Sequence, residues 1–231
     1  MVTRPSADGG AWILVRQHDH GRAAGEIAAA WAIPGPAHAE TVLAVANHDV
    51  AWEALDTEVV WDRATGRPLS FADAPPRPRL QAYRAGIDLV EAASGFAACL
   101  CSMHYASFFT HAAEGPPAAF VEAERARQRR LRAGMTPGQL ESLPGAFARL
   151  QFCDDASLFI CRNRPGRSEV GAYEQGIPLG AVHVRARWDG PDAVELHPSP
   201  LGREVRLSIP FVRRRGPDGP AEGGVQQVRV R

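Results

Sequence analysis

Residues Gln17–Trp31 read QHDHGRAAGEIAAAW. Ala24, Ile27, Ala28 and Trp31 recur at i, i+3, i+4 and i+7, the spacing that places apolar side chains on one face of an α-helix. The pattern predicts a helix from about Asp19 to Ala32, ended by Pro34 and Pro36. His20 precedes Ala24, Ile27 and Trp31 by 4, 7 and 11 residues, so a titratable imidazole shares the stripe that faces the core. His18 lies half a helical turn away and is expected to face elsewhere.

Further helices are predicted over Ala37–His48, Arg79–Ala93, Ser94–Ala113 with Ser94 as N-cap, Ala118–Arg132 and Pro144–Arg162. A strand is expected at Ala11–Arg16, and others at Val182–Trp188, Ala193–His197 and Glu204–Val212, between Gly and Pro turns. Between the helices, Ala51–Pro78 is long for a loop and carries Trp52, Trp61 and Phe71, which suits packing on the body. The Gly/Pro/Arg-rich segment Arg213–Gly224 is expected to be loose. The resulting expectation is a mainly α fold. It comprises a helical metal-binding domain over 1–164 with its N-terminal strand at 11–16, and a small β appendage with a tail over 165–231. The appendage would be a small C-terminal antiparallel sheet that the N-terminal strand joins.

Hydrophobic residues make up 45% of the 231 and charged residues 23%, enough apolar material for a sizeable core. The 26 acidic and 26 basic residues cancel, and every basic residue is arginine. A neutral chain argues against nucleic acid as the partner, because displacing phosphate counterions needs a net basic face. No apolar run approaches the roughly 18–20 residues that cross a bilayer. The start MVTRPSADGG lacks the apolar centre of a signal peptide. Cys99, Cys101, Cys153 and Cys161 sit in apolar segments without a C-x-x-C pair, as expected of reduced thiols in a cytoplasmic protein.

Four predicted helices carry a metal-capable side chain where a hydrophobe is expected. These are His20, the doublet His48-Asp49 after Val45, His104 on the stripe of Ala97, Leu100, Cys101 and Phe108, and Asp154 on the stripe of Phe147, Leu150, Leu158 and Cys161. An unpaired aspartate in a core is costly. Imidazole and carboxylate together are ligands for Mn, Fe, Zn or Ni, so one shared divalent metal, or two ions, accounts for the set. His111 lies further along the His104 helix and is a weaker ligand candidate, suited to the helix end. Asp155 points off the Asp154 stripe, and His38, His183 and His197 are expected at the surface.

The order His, His-Asp, Asp on separate helices resembles the HD superfamily of metal-dependent phosphohydrolases. The segments QHDHGRAAGEIAAAW, ANHDVAW, TGRPLSF, CSMH and CDDASLFIC, from Gln17 to Cys161, look closer still to a group of bacterial HD-like proteins of unknown function. The resemblance implies a helical bundle, with His20, His48, Asp49 and Asp154 holding the first ion and Asp49 also orienting a water. It makes His104 a ligand of a second ion or a general acid. The chain departs from the family where many members follow the doublet with Gly-Lys. Val50-Ala51-Trp52 stands there, and without lysine any phosphate clamp falls to arginine. Arg22, Arg63 and Arg67 are candidates by position, and Trp52, Asp56 and Trp61 are candidates to line the pocket.

These readings imply a metal-dependent hydrolase acting on a phosphate ester or nucleotide, a small-molecule substrate with no membrane involved. The same ligands with His104 would also suit a di-iron oxygenase. A non-catalytic domain binding a ligand or partner is the third reading.

Overall fold

The computed structural model describes residues 1–231. Strands β1 (Val2–Pro5) and β2 (Trp12–Val15) form a hairpin that leads directly into α1 (Gln17–Ala29) and α2 (His38–Asn47). A short 3-10 helix, Val50–Ala54, comes next, and then a two-stranded hairpin of β3 (Trp61–Asp62) and β4 (Arg67–Pro68). Helices α3 (Pro76–Glu91), α4 (Gly95–Ser107), α5 (Gly115–Ala133) and α6 (Pro137–Arg162) complete the helical layer. Strands β5 (Ile177–Leu179), β6 (Val182–Trp188), β7 (Ala193–His197), β8 (Val205–Arg214) and β9 (Glu222–Val230) end the chain.

The sheet corrects the expected fold class. Seven strands in the order β1-β2-β8-β9-β7-β6-β5 make one curled half-barrel, mixed in direction because β7 runs parallel to β9. With 47% of residues helical and 21% in strands, the protein is a helical layer on a substantial sheet, and not a mainly α bundle with a small C-terminal antiparallel sheet. Local signals understate the sheet because its ladder joins both ends of the chain, with β2 pairing β8 through Leu14 opposite Val212. The segment Arg213–Gly224, expected to be loose, instead joins β8 to β9 as a long hairpin registered from Val205–Val230 to Arg213–Glu222. Its glycines look like linker composition, but Gly224 leaves space for the Phe211 ring, which a Cβ would meet at 2.5 Å.

The buried face of the sheet, including Val184, Leu196, Val205, Leu207, Ile209, Val228 and Val230, closes on α1 and α6. These strand residues belong to the same hydrophobic cluster as Ile27, Leu100, Leu150 and Phe159 of the helices. Burial of that continuous apolar area is the main stabilising force. Ser94 caps α4 by accepting from Ala97 N at 3.2 Å. Helix α6 begins two turns before Pro144, at a capping box in which Thr136 and Gln139 bond reciprocally. No helix is long and apolar enough to cross a membrane.

Helices α1 and α2 pack against each other at Gly25. A Cβ on Gly25 would lie 2.6 Å from Ala46 Cβ and 2.9 Å from its Cα, so only glycine permits this approach. Gly25→Ala is therefore expected to force the helices apart and to cost about 1–3 kcal/mol by overpacking. Gly138→Ala in α6 meets nothing within 4 Å and should be neutral or stabilising by up to about 1 kcal/mol. Denaturant unfolding of both variants checks the contrast.

Candidate metal centre

Five polar side chains converge in the helical layer. His20 comes from the first turn of α1, His48 and Asp49 from the end of α2, His104 from α4 and Asp154 from the middle of α6. His20 and His48 are fully buried, His104 and Asp49 nearly so, and Asp154 is half-buried, 14% exposed at its side chain. Helix α2 ends at Asn47; His48 keeps helical backbone angles and Asp49 departs from them, and both side chains reach the same place.

Hydrogen bonds fix how the rings are turned. The Ser157 hydroxyl lies 2.9 Å from the Asp154 carbonyl and 2.8 Å from His20 Nδ1, and it can donate to either. His20 Nε2 faces Asp49 Oδ2 at 2.9 Å. With Nδ1 protonated, Nε2 is the acceptor a metal ion would take; with Nε2 protonated, it donates to Asp49 in a neutral hydrogen bond. His48 Nδ1–H donates to Val45 O at 2.7 Å, leaving Nε2 3.2 Å from Asp154 Oδ1 and 3.8 Å from Asp49 Oδ2. That Nε2 is buried without a well-aligned hydrogen bond. Locking the outer nitrogen so that the inner one is aimed is how ligating histidines are oriented.

His20, His48 and Asp154 each offer a ligand atom within 4.8 Å of the others, so the cluster can hold a metal ion. Asp49 Oδ2 lies beside this cluster, 2.9 Å from His20 Nε2 and 3.8 Å from His48 Nε2.

His104 sits beside this set, its Nε2 3.5 Å from Asp154 Oδ2. Asp154 thus faces His48 with one oxygen and His104 with the other. Burial drives the His104 pKa down to about 4, more than the carboxylates restore, so the ring is neutral near pH 7. A neutral imidazole keeps one N–H and can donate a hydrogen bond, but it is a very weak acid, which runs against the general-acid role expected for it. For His48, burial also lowers the pKa, but Asp49 and Asp154 outweigh it and raise the pKa to about 9. Burial raises Asp154, yet His48, His104 and His20 hold it well below the usual carboxylate range.

The remaining sequence candidates lie outside the five. His111 is exposed, beyond the end of α4. Arg22 is exposed beside a 220 Å³ depression that it shares with Arg16, His18 and Asp56, and Arg63 is exposed at the turn between β3 and β4. Arg67 stacks over Trp12 at 5.4 Å. No hydrogen bond or ion pair joins any of these arginines to the cluster. Trp52 is buried edge-on against Tyr83 and Phe71. Asp56 is engaged elsewhere, accepting from Gln17 N and from the Met1 amine, each at 2.7 Å. Trp61 packs near Arg214. His18 faces Glu53 at 3.5 Å, away from the five.

Two features escaped the sequence reading. Gln17 donates from Nε2 to Asp49 Oδ2 at 3.0 Å, and lies three residues before His20 on the same face of α1. Tyr83 and Tyr105 stack with ring centres 3.9 Å apart; burial, reinforced by Asp49, pushes both phenols up. The i, i+3 spacing from His20 marks Gln17 in retrospect, whereas aromatic periodicity reads only as core.

The model of a family described as a protein of unknown function (DUF3891) matches residues 1–213. No curated protein and no solved structure matches the chain.

His48 makes the metal-free protein pH-sensitive. Its folded pKa of about 9 lies above the ordinary 6.5, so the stabilisation is complete below about pH 6.5 and is lost as pH rises through about 9. A divalent ion must displace the His48 proton, so Mn(II) affinity should rise with pH up to about 9 and binding at pH 7 should release a proton. Titration calorimetry in buffers of different ionisation enthalpy measures that release. Asp49→Ala should lose Mn(II) retention while keeping its helical circular dichroism. Full metal content in that variant by elemental analysis would remove Asp49 from the ligand set.

Proposed function

The chain belongs to the DUF3891 family, and since that description carries no activity, we propose from the centre itself that the protein is a metal-dependent hydrolase of the HD type, acting on a phosphate ester or nucleotide. The observation that carries this reading is the cluster of His20, His48 and Asp154, whose ligand atoms lie within 4.8 Å of one another. His48 Nδ1 is committed to Val45 O, and its buried Nε2 faces Asp154 and Asp49 without a well-aligned hydrogen bond. The order of these four along the chain, His20, His48-Asp49 and Asp154, supports the HD assignment.

His20, His48, Asp49 and Asp154 would hold a divalent ion, with Mn, Fe, Zn and Ni all compatible with the donors. When bound, such an ion polarises a phosphoryl oxygen and brings the pKa of water toward neutrality. The chain's own contribution is orientation. Ser157 and Val45 O fix the two rings, and Gln17 holds the Asp49 carboxylate. Asp49 is placed to accept a proton from water. Neutral His104 is suited to accept a hydrogen bond from substrate or to ligate.

His104 also favours a second reading, a two-ion centre such as that of a di-iron oxygenase. Asp154 spans His48 and His104 with its two oxygens, as a carboxylate shared by two ions would. Arg22, Arg63 and Arg67 do not reach the cluster, which weakens arginine-assisted phosphate binding and leaves an oxygenase as the rival.

Metal analysis of protein purified without chelator, followed by assay of Mn(II)-loaded protein on phosphate monoesters, diesters and nucleotides, separates the readings. One ion per chain and phosphate release abolished in His48→Ala are expected. Two irons per chain with oxygen uptake and no phosphate release would replace the hydrolase with the oxygenase. Failure to retain any of Mn, Fe, Zn or Ni would leave a non-catalytic domain.

A further inference from the structure

Gln17, the first residue of α1, is 2% exposed. Its backbone N–H donates to Asp56 Oδ2 at 2.7 Å, which anchors the opening turn of the helix. Its side-chain Nε2 donates to Asp49 Oδ2 at 3.0 Å, the same oxygen that His20 Nε2 approaches at 2.9 Å. An ionised carboxylate only accepts, so the NH2 end of the amide must face Asp49 and the carbonyl end must face away from that oxygen. Gln17 Oε1 is buried with no donor from the protein. Buried carbonyl oxygens are rarely left in that state, because the lost hydration is not replaced. If packing were the only requirement, leucine or methionine would fill this position without the cost.

We propose that Gln17 is a positioning residue of the metal centre: Nε2 fixes the Asp49 carboxylate, and Oε1 accepts a hydrogen bond from a water molecule in the centre and so orients it for hydrolysis. The inference rests on the hydrolase reading above. The amide neither gains nor loses a proton at any accessible pH, so its contribution is to direction. A pinned helix start places the amide, the amide places the carboxylate, and its free oxygen accepts only from a donor. Asp56, which sequence position made a pocket candidate, thereby acts at one remove, by holding the Gln17 backbone.

The test uses Co(II)-loaded full-length protein and sodium fluoride, read by the visible absorption of cobalt, so it does not depend on turnover. Fluoride can replace water but offers lone pairs only, and an acceptor aimed at that position disfavours it. Gln17→Leu and the longer Gln17→Met are compared with the parent, with melting temperature and circular dichroism as controls. Each variant is expected to bind Co(II) about 10- to 100-fold more weakly, as other outer-sphere partners do. Each should bind fluoride about tenfold more tightly once cobalt is saturating, since one unfavourable contact is removed. An unchanged fluoride affinity in a folded variant overturns the proposal, as does complete loss of cobalt from both variants. Tighter fluoride binding without hydrolysis of any phosphate ester would retain Gln17 in this role and discard the hydrolase reading. Hydrolysis with unchanged fluoride binding would do the reverse.

Discussion

The metal centre depends on holding buried imidazoles and carboxylates together, with His20 Nε2 2.9 Å from Asp49 Oδ2 and His48 Nε2 3.2 Å from Asp154 Oδ1. Each has given up most of its hydration, so each needs a partner. Their approach is imposed from outside. Gly25 lets α1 come within contact of Ala46, Ser157 hydrogen-bonds the His20 ring, and Gln17 donates to the carboxylate oxygen that His20 faces. The carboxylates are balanced by a positive charge, the His48 proton in one state and a metal ion in another. Stability, metal affinity and pH dependence are therefore coupled at this one place.

Burial also separates the roles of the histidines. His48 faces Asp49 and Asp154 and keeps its proton to about pH 9, whereas His104 has Asp154 at 3.5 Å and Phe108 edge-on at 4.7 Å, and loses its proton near pH 4. The same residue type in the same core thus gives one charged and one neutral imidazole. A surface depression of about 890 Å³ lies elsewhere, over the ion pairs of Arg127 and Arg130 with Asp88 and Glu91 between α3 and α5. Its side chains are already paired with one another, which suits a solvated face holding two helices together.

Much of the helical layer was legible because helix signals are local. The stripe through Ala24, Ile27 and Ala28, and the Ser94 cap, each lie within a few turns of chain. Where periodicity misplaces a helix start, another local signal carries it: the Thr136–Gln139 capping box starts α6 ahead of Pro144. The sheet was legible only in pieces. Val182–Trp188 and Ala193–His197 alternate as strands do, but Glu222–Val230 has two glycines near its start and carries no such mark. Its pairing with β8 and its parallel contact with β7 are long-range, and nothing in a window of a few residues specifies them.

The amino-acid sequence by itself determined the chemical inventory of the centre. A histidine or aspartate recurring on an apolar face is anomalous whatever the fold, so His20, His48, Asp49, His104 and Asp154 stand out from periodicity alone. Tertiary structure decided which of them meet and in what state. It sent His111 and the arginines outward and turned the His20 and His48 rings through a second residue. It also brought in Gln17, whose i, i+3 spacing from His20 gains meaning only once Asp49 is beside it. Spacing along a helix fixes the face a side chain occupies, but distances between faces depend on helix approach, and that was set here by one glycine against one alanine.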